Sequence, residues 1–196
     1  MSVEYELKFR ATPEILQQLS RDIPEEAVRW EMETTYYDTP EQTLSARWYT
    51  LRRRQENDLS VCTLKTPASG AGRNEYEVLC REITQAIPEL CKLSGSEELA
   101  ELTAGGLVAV CGAKFTRLAK TLVLPDCTVE LALDQGILTG GGKEIPLCEV
   151  EVELKSGTPQ AAAAYAARLA VLYGLQPEKG SKFRRALALA KGEENG

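Results

Sequence analysis

Charged and apolar side chains alternate from Val3 to Arg10, in the order Val-Glu-Tyr-Glu-Leu-Lys-Phe-Arg. Side chains in a strand alternate between faces, so Glu4, Glu6 and Lys8 share one face and Val3, Tyr5, Leu7 and Phe9 the other. The same phase recurs in Arg52 and Arg54, in Arg73, Glu75 and Glu77, in Glu130 and Asp134, and in Glu149, Glu151, Glu153 and Lys155. Water alone accounts for one polar strand face. It does not account for like charges repeatedly placed two apart on one face, where they repel and need counter-ions. The chain therefore predicts a sheet with a polar surface of both signs, and that surface is the expected site of function.

Composition narrows the chemistry. The 196 residues include no histidine, which removes the usual general base, the serine-triad base and the commonest zinc ligand together. Catalysis must then run on carboxylates, lysine, arginine, tyrosine or a metal. A net charge of -6 argues against non-specific binding to nucleic acid or an acidic membrane. Cys62, Cys80, Cys91, Cys111, Cys127 and Cys148 form no Cys-x-x-Cys pair and read as reduced thiols. With no leader pattern and no membrane-length apolar run, the expectation is a cytoplasmic protein.

Alternation predicts strands at 3–10, 34–37, 48–55, 59–65, 74–81, 114–121, 128–134, 136–139 and 144–155. Turn residues separate several of them, at Glu56-Asn57-Asp58, Ala68–Gly72 and Gly140-Gly141-Gly142. Helices are expected at 13–21 after Thr12, at 97–103, from a Thr158 cap and Pro159 to Tyr173 with a Gly174 stop, and at 181–191. A helical stretch, 84–112, separates two runs of strands. The expected organisation is one domain, residues 1–196, with two similar halves.

Clustered carboxylates without nitrogen or sulfur donors suit hard divalent cations, and clustered arginines and lysines suit phosphate oxygens. A pocket holding both suits a metal-complexed polyphosphate. Gly180-Ser181-Lys182 lacks the upstream glycine of a Walker loop, so side chains would have to grip the phosphates.

These residues also carry a resemblance. Glu4-x-Glu6-x-Lys8, Tyr36-Tyr37-Asp38-Thr39-Pro40, Leu51-Arg52-Arg53-Arg54, Leu64-Lys65, Arg73-x-Glu75-x-Glu77, Leu133-Asp134-x-Gly136, Glu149-x-Glu151-x-Glu153 and Gly180-Ser181-Lys182 resemble, in order, the CYTH superfamily of triphosphate tunnel metalloenzymes. The pattern is most similar to bacterial inorganic triphosphatases. The resemblance implies an α+β fold, a closed antiparallel eight-stranded β-barrel with a charged lumen and helices outside. It implies metal-dependent hydrolysis of inorganic tripolyphosphate, with Mg2+ or Mn2+; the alternatives are thiamine triphosphatase, class IV adenylate cyclase or a non-catalytic polyphosphate-binding module. Glu4, Glu6 and Lys8 would be catalytic. Lys8, Arg52, Arg54, Lys65, Arg73, Arg117 and Lys182 would hold phosphate, and Glu4, Glu6, Asp134, Glu149, Glu151 and Glu153 would lie near metal. The expected partner is a small triphosphate, with no nucleic acid and no membrane, in a monomer or homodimer.

Other residues have simpler expectations. Arg53 has the outward phase, Arg10 lies at a strand end, and Arg184 and Arg185 read as surface charges. Trp30 and Trp48 read equally as packing or as a stacking platform, and of Tyr36 and Tyr37 one is expected in the core.

Overall fold

The computed structural model describes residues 2–68 and 72–193, with the side chains of residues 2 and 3 excepted. Ten strands form one antiparallel sheet: β1 (Ser2–Glu4), β2 (Glu6–Arg10), β3 (Val28–Asp38), β4 (Thr50–Glu56), β5 (Leu59–Pro67), β6 (Arg73–Leu79), β7 (Val108–Val123), β8 (Cys127–Gly140), β9 (Lys143–Gly157) and β10 (Gln176–Pro177). Their order is β1-β6-β5-β4-β3-β7-β8-β9-β2-β10.

The expected ring of eight strands is corrected here, because the ladder has two ends. β1, at one end, is nevertheless followed directly in the chain by β2, which lies next to the other end. Glu4 pairs with Arg73 on β6 and Glu6 pairs with Glu153 on β9, with only Tyr5 between them. The Tyr5 carbonyl accepts the Leu154 N–H at 2.9 Å, so the segment stays on the β9 ladder as it leaves β6. One continuous stretch, Ser2–Arg10, thus draws together the two sides of the curled sheet.

Six helices cover the outside: α1 (Pro13–Asp22), α2 (Thr43–Ala46), α3 (Ile83–Ser94), α4 (Glu98–Thr103), α5 (Pro159–Tyr173) and α6 (Lys182–Lys191). Side-chain caps start three of them, with Thr12 accepting from Ile15 N, Thr158 from Ala161 N and Ser181 from Arg184 N. Strand phase decides what the helices cover. Leu131, Leu133, Val150 and Val152 point outward onto Leu16, Leu19, Ala162, Ala166 and Leu169 of α1 and α5. Leu51, Cys62, Leu64 and Tyr76 point outward onto Leu44, Ile83, Ala86, Leu90 and Leu99 of α2 to α4. The buried Asp38 carboxylate, from the end of β3, also holds the first turn of α2, accepting from Leu44 N at 2.9 Å and Ser45 N at 3.1 Å.

Other departures have local causes. The strands expected at 128–134 and 136–139 are one strand, because Gln135 and Gly136 remain in register with Thr116 and Phe115. The strand expected at 34–37 begins at Val28: its outer face carries Arg29, Glu31 and Glu33, and its inner face carries Trp30, Met32, Thr34 and Tyr36, reversing the expected polarity. Trp48 lies before β4, in the left-handed region at φ 61°. The helical stretch resolves into α3, which contains Pro88, and α4. The turn expected at Ala68–Gly72 falls mostly on 69–71, outside the described residues. Among the described residues all six cysteines are free thiols, and no helix is long and apolar enough to cross a membrane.

Candidate active site

A cavity of about 330 Å³ is lined by residues of every strand from β1 to β9 and by the start of α6. Lys8, Arg52, Arg54, Lys65, Arg73, Arg117, Lys155 and Lys182 face Glu4, Glu6, Glu56, Glu75, Glu77, Glu130, Glu151 and Glu153 across it. Cations and carboxylates are thus balanced among the described residues, and the cavity has no excess positive charge.

The charges are paired on the walls. On one side, Lys65 reaches Glu4 at 2.5 Å and Glu75 at 3.2 Å, while Arg52 lies 3.4 Å from Glu75. Arg54 pairs with Glu56. Arg73 donates to Thr50 Oγ1 at 3.1 Å and to the carbonyls of Lys65 and Trp48. Opposing this group, Lys8 pairs with Glu6 at 2.8 Å, and Lys155 lies 2.8 Å from Glu153 and 3.8 Å from Glu130. Glu6 and Glu130 are both cross-strand partners of Glu153, so three carboxylates occupy one lateral row. Between these groups lies an apolar wall of Trp30, Met32, Tyr36 and Phe115, with Tyr36 stacked obliquely on Phe183 at 5.1 Å.

Beneath α6 the pairing is denser. Arg117 donates both nitrogens of its fork to Asp134, each at 2.7 Å, and also reaches Glu151. Lys182 sits 2.8 Å from Asp134, 2.8 Å from Glu149 and 2.7 Å from Glu151, with its ammonium 5.3 Å from the Phe115 ring centre. Asp134 and Glu149 are directly opposed in the ladder, a repulsive arrangement that the shared ammonium relieves. Both carboxylates are fully buried and lie behind the cavity lining. The remaining residues expected to hold phosphate or metal all line the cavity.

Burial pushes the Glu149 carboxyl up to about 7 despite the adjacent Lys182. Burial also opposes charge on Glu151, but Lys182 and Arg117 outweigh it and hold that carboxyl well below the usual range. For Lys182, burial would favour the neutral amine, yet Asp134, Glu151 and Glu149 keep it protonated far above its usual value. Because Glu149 titrates higher in the fold than when unfolded, its contribution to stability is complete below about 4.5 and is lost as pH rises towards 7. Glu149→Gln cannot titrate, so its stability relative to wild type is expected to rise across that window and then level off. Urea midpoints at acid, neutral and alkaline pH measure this, and a difference independent of pH would contradict the raised value.

Two placements differ from sequence expectation or escaped it. Arg185 is no surface charge: its side chain is 14% exposed, and it pairs with Glu149 and Glu178. Glu178, 3% exposed at its side chain, carries no period-two signal because it follows the two-residue strand β10. Glu130 and Lys155 did show the inward phase and join the cavity. Other expectations hold, since Arg184 is exposed beside Trp48, Arg53 does not line the cavity, and Arg10 ends β2 outside the cavity lining, exposed and bound to Glu178 at 2.5 Å.

A curled antiparallel sheet around a cavity of evenly matched cations and carboxylates defines a charged-lumen protein with helices outside. The chain belongs to the CYTH domain family, whose model matches residues 2–187. It is 32% identical over 168 residues to an inorganic triphosphatase of Haemophilus influenzae, a match covering 82% of this chain and 47% of that protein. The chain thus spans about half the length of that curated relative. Among solved structures, a Hippeastrum adenylyl cyclase candidate with a dominant triphosphatase activity superposes with a TM-score of 0.67 at 18% identity, covering 99% of this chain and 97% of that one. A Pyrococcus horikoshii protein superposes with a TM-score of 0.62 at 24% identity, covering 95% and 99%. At these identities the structural matches establish the fold.

Proposed function

We propose that this chain hydrolyses the terminal phosphoanhydride of a triphosphate held within the curled sheet, with inorganic tripolyphosphate as substrate and Mg2+ or Mn2+ accompanying it. The observation that carries this reading is the balanced lining of the cavity. Matched charges give a free polyanion no net attraction, whereas a polyanion that arrives with divalent cations satisfies both sets, its oxygens taking the arginines and lysines while the metal takes carboxylates.

The donor set fits such an ion. It is all oxygen, and Mg2+ is commonly held by one or two carboxylates together with substrate phosphates. Glu4, Glu6 and Glu153, with Glu130 in the same row as Glu6 and Glu153, are the residues that would hold it. When bound, the ion would neutralise phosphate charge and lower the cost of deprotonating water.

The protein's own groups do the rest. Lys8, Arg52, Arg54, Lys65, Arg73, Arg117 and Lys182 bind the phosphate oxygens and stabilise the charge that develops as the bond breaks. Glu4 and Glu6 orient the attacking water and can accept its proton. Pairing along the walls keeps these groups in place before substrate arrives, so positioning contributes to rate as well as charge.

Purified protein is expected to release phosphate from tripolyphosphate only with Mg2+ or Mn2+, and to melt at higher temperature when tripolyphosphate and metal are added. Glu4→Gln and Lys8→Ala should lose turnover while remaining folded. The apolar wall of Trp30, Met32, Tyr36 and Phe115 favours a second reading, a triphosphate bearing an organic group. Thiamine triphosphate and ATP belong in the same assay, and no phosphate release or cyclic product from any of the three would sink the enzymatic reading.

A further inference from the structure

We propose that Glu178 and Arg185, neither of which lines the cavity, are positioning residues that set Lys182 against strand β2; this inference rests on the phosphate-binding reading above. Glu178 is a junction. Its backbone N–H donates to the Lys8 carbonyl at 2.8 Å, which ties it to the strand carrying Glu6 and Lys8. Its carboxylate accepts the Gly180 N–H at 2.7 Å on one oxygen, and on the other Arg10 Nε at 2.5 Å and Arg185 Nη1 at 3.4 Å. Arg185 then donates to Glu149, whose other oxygen takes the Lys182 ammonium at 2.8 Å.

Two routes therefore lead from one carboxylate to one ammonium. The first is covalent, through Gly180-Ser181-Lys182, and the second is ionic, through Arg185 and Glu149. Gly180 is packed onto the same pair, since a Cβ there would lie 3.1 Å from Arg185 Cγ and 3.2 Å from the Glu178 carboxylate. Buried ion pairs are weak sources of stability, but their fixed geometry holds groups in place.

Electrostatics supplies a test with a decisive sign. Glu178→Gln keeps the shape and an acceptor for Gly180 but removes one negative charge close to the site, so Coulomb attraction alone would tighten polyanion binding. Positioning predicts the reverse, a loss of at least about tenfold in tripolyphosphate affinity measured by calorimetry with Mg2+. Arg185→Lys retains charge but loses the fork that reaches both Glu149 and Glu178, and the same loss is expected. Melting curves on the same samples establish the folded fraction, and if Glu178→Gln does not fold, Arg185→Lys decides alone.

Affinity within twofold of wild type, tighter binding by Glu178→Gln, or a loss no greater than the unfolded fraction would overturn the inference. If wild-type protein itself binds no tripolyphosphate, the phosphate-binding reading falls and the inference falls with it. Wild-type binding with unchanged variants removes the positioning role only.

Discussion

Lys182→Met is expected to abolish turnover and to destabilise the fold by about 3–5 kcal/mol, the cost of removing one partner from a buried ion pair. The side chain is only 9% exposed, and its ammonium is shared among Asp134, Glu149 and Glu151, all within 2.8 Å. Arg117 still holds Asp134 and Glu151 in the variant and Arg185 still holds Glu149, but neither replaces the one ammonium that all three carboxylates share. Methionine fills the space without supplying charge. Chemical denaturation should show the loss, with a melting temperature lower by roughly 10 °C for a chain of this size. The deficit should shrink in acid as the crowded carboxylates, now short of one cation, take up protons. Turnover should fall by at least about 10²-fold, as when a preorganised donor to a transition-state oxyanion is removed. Stability within about 1 kcal/mol of wild type at neutral pH would show that the cluster does not depend on this ammonium.

Gly136→Ala should be nearly as damaging, although it adds a single methyl group. A Cβ at this position would lie 2.1 Å from the Lys114 carbonyl oxygen and 2.5 Å from Phe115 Cα, both backbone atoms of the neighbouring strand. No side-chain rotation can clear such a contact, so the β7–β8 ladder would have to part at the Phe115–Gly136 pair. Overpacking typically costs about 1–3 kcal/mol and occasionally more, and the upper end is expected where backbone is the obstacle. Phe115 lies beneath both Arg117 and Lys182, so phosphate binding should weaken beyond the folding defect. A variant with wild-type stability and wild-type tripolyphosphate affinity would contradict this account.

Much of the site was legible because inward-facing residues recur with period two. Glu4, Glu6 and Lys8, Arg52 and Arg54, and Glu151 and Glu153 announce their common face in any strand reading, and the structure puts them on one cavity. The caps at Thr12, Thr158 and Ser181 were legible for a different reason, since hydroxyl-to-backbone bonds are local. What escaped depends on partners distant in sequence. Arg185 looks like a surface charge on an amphipathic helix until Glu149, 36 residues earlier, is brought beneath it. In β3 the charged residues Arg29, Glu31 and Glu33 face outward while Trp30, Met32 and Tyr36 face inward, so its alternation gave the opposite sense from the charged strands. The break at Tyr5 has no local signature. It arises because one segment must satisfy ladders on two different strands.

That divided segment bears on how the protein is made. Glu4 must wait for Arg73, and Glu6 must wait for Glu153, a further stretch of the chain later. At about 5–20 residues per second, a ribosome would carry the first strand without its second partner for on the order of ten seconds or more. Throughout that interval the segment presents unpaired backbone and an apolar face, the combination that invites wrong pairing and recruits chaperones. Binding competence would then arrive late in synthesis, as a single closing event rather than by gradual assembly.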